Sequence, residues 1–119
     1  MRTIKYIVLH CTATHQNATV DAIKRYWKEQ MGWKSPGYHI IITPDGGAHQ
    51  LAQDYEVTNG VAGFNQVSIH ISYIGGIDAK GNPADNRTPG QIATTIALLK
   101  AYKIAYPNAI IQGHRDFPN

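Results

Sequence analysis

Two histidines sit where apolar runs end. His10 closes "YIVLH" and His114 follows "AIIQG" in this 119-residue chain. Neutral imidazole is a good zinc ligand, and a catalytic zinc takes three protein ligands plus a water. If the two runs are neighbouring strands, both rings meet at the strand ends, where α/β proteins commonly build their sites. Spacing alone leaves a plainer reading beside this one, because the chain holds 6 histidines and two of them can be ordinary polar loop residues. The stretch "GHRDFPN" (113–119) adds a glycine and charged residues directly after the apolar run, the make-up of a loop that carries chemistry. Cys11 adjoins His10, but neighbours in a strand point to opposite faces, so it is expected to turn away as an inert thiol. Asp116 is a further oxygen donor, and it reaches a metal at His114 only if its loop rearranges.

The elements that must position these residues alternate along the chain. "IKYIVLHC" (4–11) has the β-rich composition of a buried strand. "TVDAIKRYWKEQMGW" (19–33) spaces Val20, Ile23, Trp27 and Met31 as one helix face, with Thr19 to cap its start and Gly32 its end. "GYHIIIT" (37–43), the turn "PDGG" (44–47) and "AHQLA" (48–52) read as a strand pair. "VSIHISYIGG" (67–76) is the longest strand candidate; its alternation puts Ser68, His70 and Ser72 on one face and Val67, Ile69, Ile71 and Tyr73 on the other. "DAKGNPADNRTPG" (78–90) is a surface loop. A second helix follows, with Thr88 as N-cap, Pro89 in the first turn and Gln91 completing a capping box; Ile92, Ile96, Leu99 and Tyr102 or Lys103 form its expected inner face. "AIIQ" (109–112) is the last strand. This alternation predicts an α/β domain with a mixed sheet.

Composition narrows the function. With 43% hydrophobic and 16% charged residues the chain can bury a core. No apolar run approaches the roughly 20 residues of a membrane span. The net charge of +3 is compatible with an anionic polymer, but the Lys and Arg residues are scattered, with no basic stripe of the kind that tracks nucleic acid. A single cysteine excludes an internal disulfide. "MRTIKYIVLHC" lacks the apolar length and cleavage pattern of a signal peptide, so synthesis in the cytoplasm is expected.

Five stretches carry a resemblance: "YIVLHCTAT" (6–14), "GYHIIITPDG" (37–46), "SIHISYIGGID" (68–78), "RTPGQ" (87–91) and "GHRDF" (113–117). In this order and spacing they resemble the zinc-dependent N-acetylmuramoyl-L-alanine amidases, the family of phage lysozyme-type amidases and peptidoglycan recognition proteins. The resemblance covers essentially the whole chain and implies a single domain, 1–119, with a mixed central sheet flanked by helices. It implies Zn2+ held by His10 and His114, with Tyr38 near the zinc-bound water and the scissile carbonyl. The family's third ligand is usually a cysteine in a K-x-C-P stretch just after the second histidine, its lysine assisting the transition state; the domain is thus expected to be truncated at its C-terminal end. Asn65 matches the family's "YN" or "FN" loop and, with Trp33, is expected to touch the muropeptide.

Two departures stand out. Relatives often carry a histidine in the segment "NGVAGFN" (59–65), with Val61 at the aligned place, and usually have glycine where this chain has His70. His70 is expected in a packed polar layer, with a cleft wall as the alternative. His39 is read as a satisfied core histidine that could orient a neighbour, His15 and His49 as solvent-facing, and Trp27 as core. The implied activity is hydrolysis of the amide between N-acetylmuramic acid and L-alanine in peptidoglycan, on the wall after release or export. The alternatives are a non-catalytic peptidoglycan-binding module and a regulatory domain that binds a protein partner.

Overall fold

Short β-rich runs separated by two capped helices leave one efficient arrangement: a sheet with a helix on each face. The computed structural model describes residues 2–118 and shows this layering. The strands are β1 (Tyr6–Cys11), β2 (Ile40–Ile42), β3 (Ala48–Gln50), β4 (Ser68–Tyr73) and β5 (Ile110–Gly113); the helices are α1 (Val20–Glu29) and α2 (Pro89–Ala105). The five strands form one mixed sheet in the order β3-β2-β4-β1-β5, in which only β3 runs antiparallel to its neighbour. β1 lies one strand in from the β5 edge, between β4 (His10 opposite Ser72) and β5 (Leu9 opposite Gly113). No helix in the described residues is long and apolar enough to cross a membrane.

The two faces of the sheet differ in chemistry. Beneath α2, Ile7, Ile40, Ile42, Ile69 and Ile71 form an apolar core with Tyr102 and Ala109. The opposite face carries Val8, His10, His39, Ile41, Ser68, His70 and Ser72, all buried. At one end of that face α1 packs Ile23 and Trp27 against Ile41 and Ile74; at the other, Val8 meets Val61 and Phe117. Arg2 ties the intervening loop to the sheet, donating to the carbonyls of Asp54, Asn65 and Ser68.

α1 begins as expected, with Thr19 Oγ1 accepting from the Ala22 N–H. It ends earlier than the apolar spacing predicts: Met31 lies beyond the helix and is 45% exposed, and the chain turns at Gly32 (φ +68°), where the Trp33 N–H returns to the Trp27 carbonyl. The capping box of α2 forms between Thr88 and Gln91. Its inner face is the expected one only in part: Leu99 and Tyr102 turn to the core as the spacing predicts. Ile92 and Ile96 are exposed, whereas Gln91 and Tyr102 are buried, with Leu98, Leu99 and Tyr106 partly covered. The polar anchors set the rotation of this helix. Gln91 Nε2 donates to the Ile42 and Ile74 carbonyls, and the Tyr102 and Tyr106 hydroxyls donate to Asp54.

Candidate active site

Parallel pairing of β1 with β5 settles whether the two histidines meet. The register that sets Leu9 opposite Gly113 leaves His114, one step on, beside His10. Their rings pack edge to face with centroids 4.9 Å apart. His114 opens a short 3-10 turn, His114–Asp116, and is exposed; His10 is buried. Asp116 accepts from the Gly113 N–H at 2.9 Å, so it serves that turn and does not join the histidines. The Cys11 thiol lies on the other side of β1, against Gly76, as alternation requires.

Tyr38 stands two residues before β2, its ring centroid 4.9 Å from that of His10. Its hydroxyl donates to the Cys11 carbonyl at 3.3 Å. Burial raises its pKa, so near neutral pH the phenol keeps its proton and acts as a donor. Trp27 packs edge-on to Tyr38 at 5.4 Å, and Trp33 follows at 6.4 Å, so an aromatic row leads away from the histidines. Trp33 lines a cleft with Trp27, Lys24, Lys28 and Lys34, which sets positive charge around the two indoles.

Two further imidazoles adjoin the site. The His70 ring is fully buried, with its centroid 4.9 Å from that of His10; His70 Nδ1 lies 2.9 Å from His10 Nε2. His70 Nε2 lies 2.9 Å from Asn65 Oδ1. Sequence alternation assigned His70 to a polar layer with Ser68 and Ser72, and it lies there. What alternation alone does not give is its contact with His10, which depends on the β1–β4 register, in which Val8 faces His70. His39 orients a neighbour as read: its Nδ1 accepts the His70 backbone N–H at 3.0 Å, and its own backbone N–H donates to the His70 carbonyl. His15 and His49 are exposed.

Asn65 turns its amide oxygen inward, to the Val61 N–H and to His70. The Val61 side chain packs in the core, so it is the preceding residue, Gly60, that abuts the histidine cluster. A Cβ on Gly60 would lie 2.3 Å from His70 Nδ1.

Burial, with His70 and His114 alongside, pushes the His10 pKa down to about 2. Burial, with His39, His114 and Arg2 alongside, lowers that of His70 to about 3. Both rings are therefore neutral and able to act as ligands or hydrogen-bond partners at physiological pH. Among the described residues no group of three or more His, Cys, Asp and Glu is arranged to hold a metal ion. The donor set at the strand ends is the imidazole pair His10 and His114, which suits zinc in ligand type and is one short of the three protein ligands that a catalytic zinc takes.

Comparison with known proteins identifies the family of the chain. A family model described as N-acetylmuramoyl-L-alanine amidase matches residues 1–119. The endolysin of Klebsiella phage KP32 is 38% identical over 111 residues, covering 92% of this chain and 74% of that protein. The endolysin of Enterobacteria phage T3 is 36% identical over 116 residues, covering 96% and 76%. Among solved structures, the Ph2119 endolysin from a Thermus scotoductus MAT2119 bacteriophage superposes with a TM-score of 0.87 at 27% identity, covering 100% of this chain and 76% of that one. The chain belongs to the N-acetylmuramoyl-L-alanine amidase family.

Proposed function

We propose that this chain is a zinc-dependent amidase that cleaves the bond between the lactyl group of N-acetylmuramic acid and L-alanine in peptidoglycan. The observation that carries the proposal is the meeting of His10, His114 and Tyr38 at the end of β1. His10 and His114 would hold the zinc. When bound, such an ion acidifies a water and polarises a carbonyl.

The chain's own residues supply the rest. Buried His10 stays neutral and keeps a lone pair for a ligand. Tyr38, protonated and adjacent, can turn its hydroxyl from the Cys11 carbonyl to an oxyanion that develops beside His10. Trp33 and the lysines around it offer stacking for a sugar face and charge for the carboxylates of a peptide stem. Solved relatives of lower identity show the same fold with such ligands: a human peptidoglycan recognition protein, 18% identical with a TM-score of 0.77, is in complex with a muramyl pentapeptide.

One observation favours a second reading. The cleft of Trp33 and three lysines would hold wall fragments with no help from a metal, which suits a wall-binding module without turnover. Purified chain, its zinc content measured, is incubated with peptidoglycan and the products are identified by mass spectrometry. Release of free L-alanine-terminated stems that stops with a chelator supports the amidase. Binding to wall that survives the chelator, with no stems released, refutes it in favour of the module.

A further inference from the structure

The tautomer of His10 can be worked out from a backbone amide. A backbone N–H only donates, and the Val61 N–H points at Asn65 Oδ1 at 2.8 Å. That atom is therefore the amide oxygen, and the orientation of the Asn65 side chain is fixed. The same oxygen lies 2.9 Å from His70 Nε2, so the hydrogen of that contact must come from His70. A neutral imidazole carries one N–H, which leaves His70 Nδ1 a bare acceptor. Its contact with His10 Nε2, at 2.9 Å, then takes its hydrogen from His10. His10 in turn is left with a bare Nδ1.

We propose that His70 and Asn65 are positioning residues, a relay anchored on the Val61 amide that holds His10 as its Nε2–H tautomer and leaves Nδ1 as the ligand nitrogen. The relay rests on the reading of His10 as a metal ligand. Ligating imidazoles generally donate their other N–H to a fixed acceptor, which orients the ring and raises its basicity. Here that acceptor is a third imidazole instead of a carboxylate or carbonyl. The surroundings are built to keep it in place. His39 grips the His70 backbone from both sides, through its own N–H and through Nδ1. Gly60 leaves the room that the ring occupies, since a Cβ there would meet its Nδ1, Cγ and Cε1 at 2.3–2.5 Å.

The test uses the 119-residue chain, first free of metal. Long-range proton–nitrogen NMR correlations report which ring nitrogen of each histidine carries the hydrogen. The expected result is His10 and His70 both protonated at Nε2 only; a hydrogen on His10 Nδ1 overturns the relay. Zinc affinity is then measured for three variants. His70→Leu removes the acceptor and is expected to weaken zinc binding about 10–100-fold and to release His10 into mixed tautomers. His70→Asn restores an acceptor oxygen at the δ position and is expected to recover most of both. Gly60→Ala, which keeps His70 but displaces its ring, should behave like His70→Leu, and the tautomer measured in the unaltered chain decides the relay whether or not these variants fold. Unchanged tautomer and affinity in either perturbing variant overturns the relay. If the unaltered chain takes up no zinc, the metal reading of the site falls, while the tautomer measurement still decides the relay.

Discussion

Replacing Gly60 with alanine should be among the costliest single-methyl additions to this protein. The backbone itself tolerates the change, because Gly60 is not one of the glycines with positive φ. On that ground alone alanine would stabilise by about 0.4–1 kcal/mol, through the unfolded chain. The new Cβ, however, falls 2.3 Å from His70 Nδ1, against the roughly 3.5–4.0 Å of an ordinary contact, so the ring must retreat by about 1 Å or more. Overpacking of this kind costs about 1–3 kcal/mol. The retreat also breaks the contacts to His10 and Asn65, each leaving a buried polar group short of a partner at about 1–3 kcal/mol. Because relaxation exchanges one penalty for the other, the net expectation is about 3–5 kcal/mol, a large share of the roughly 5–15 kcal/mol that holds a domain together. The assay is urea unfolding of the four members of a Gly60→Ala/His70→Ala cycle. Without the ring, Gly60→Ala should be neutral or slightly stabilising, giving a coupling of about 3 kcal/mol or more. A cost below about 1 kcal/mol, or the same cost in both backgrounds, refutes the steric argument.

Three other perturbations probe separate parts of the molecule. His10 and His70 have folded pKa values far below the ordinary 6.5, so on acidification the unfolded chain takes up their protons first; stability of the metal-free chain is full above about pH 6.5 and falls below it by up to about 1.4 kcal/mol per pH unit for each ring. Denaturation midpoints measured between neutral pH and pH about 4 check this, and a flat profile contradicts it. Tyr38→Phe should reduce turnover about 10²–10³-fold with little change in thermal midpoint, and full activity removes the phenol from the mechanism. Gln91→Ala strips the Ile74 carbonyl of its donor and breaks the capping box, so a loss of about 2–4 kcal/mol in denaturant unfolding is expected.

The elements were legible wherever a local rule governs them. Thr19 and Thr88 cap the helices as their positions predict, because capping depends on residues within one turn. The strands carrying His10 and His114 were legible from composition, and their adjacency is the condition on which the meeting of the two imidazoles rested. The inner face of α2 was legible only in its second half, where Leu99 and Tyr102 turn to the core. Ile92 and Ile96 have the stronger apolar signal, but the helix turns on Gln91, Tyr102 and Tyr106, whose partners Ile42, Ile74 and Asp54 are remote in sequence. His70 was half legible. Alternation gives its face, but its contact with His10 depends on a strand register between segments 60 residues apart. The role of Gly60 leaves no local trace, since its small size matters only beside a ring supplied by another element.

A polar layer inside a sheet face is expensive unless every member is paired. On the α2 side apolar burial does the holding, and substitutions there should act one by one, through volume. On the other side His10, His70, Asn65 and His39 are joined by hydrogen bonds that fix both the ring positions and the tautomers, and each partner is itself set by backbone: the Val61 amide, the Glu56 carbonyl and the His70 amide. Such a layer has few ways to rearrange, because moving one ring strands the next. That rigidity is what a ligand nitrogen needs, and it also explains why the cluster lies one strand inward from the exposed His114. In the proposed metal site the buried member of the pair would be prepared in advance, and the exposed member, on its short turn, would be left to adjust to what binds.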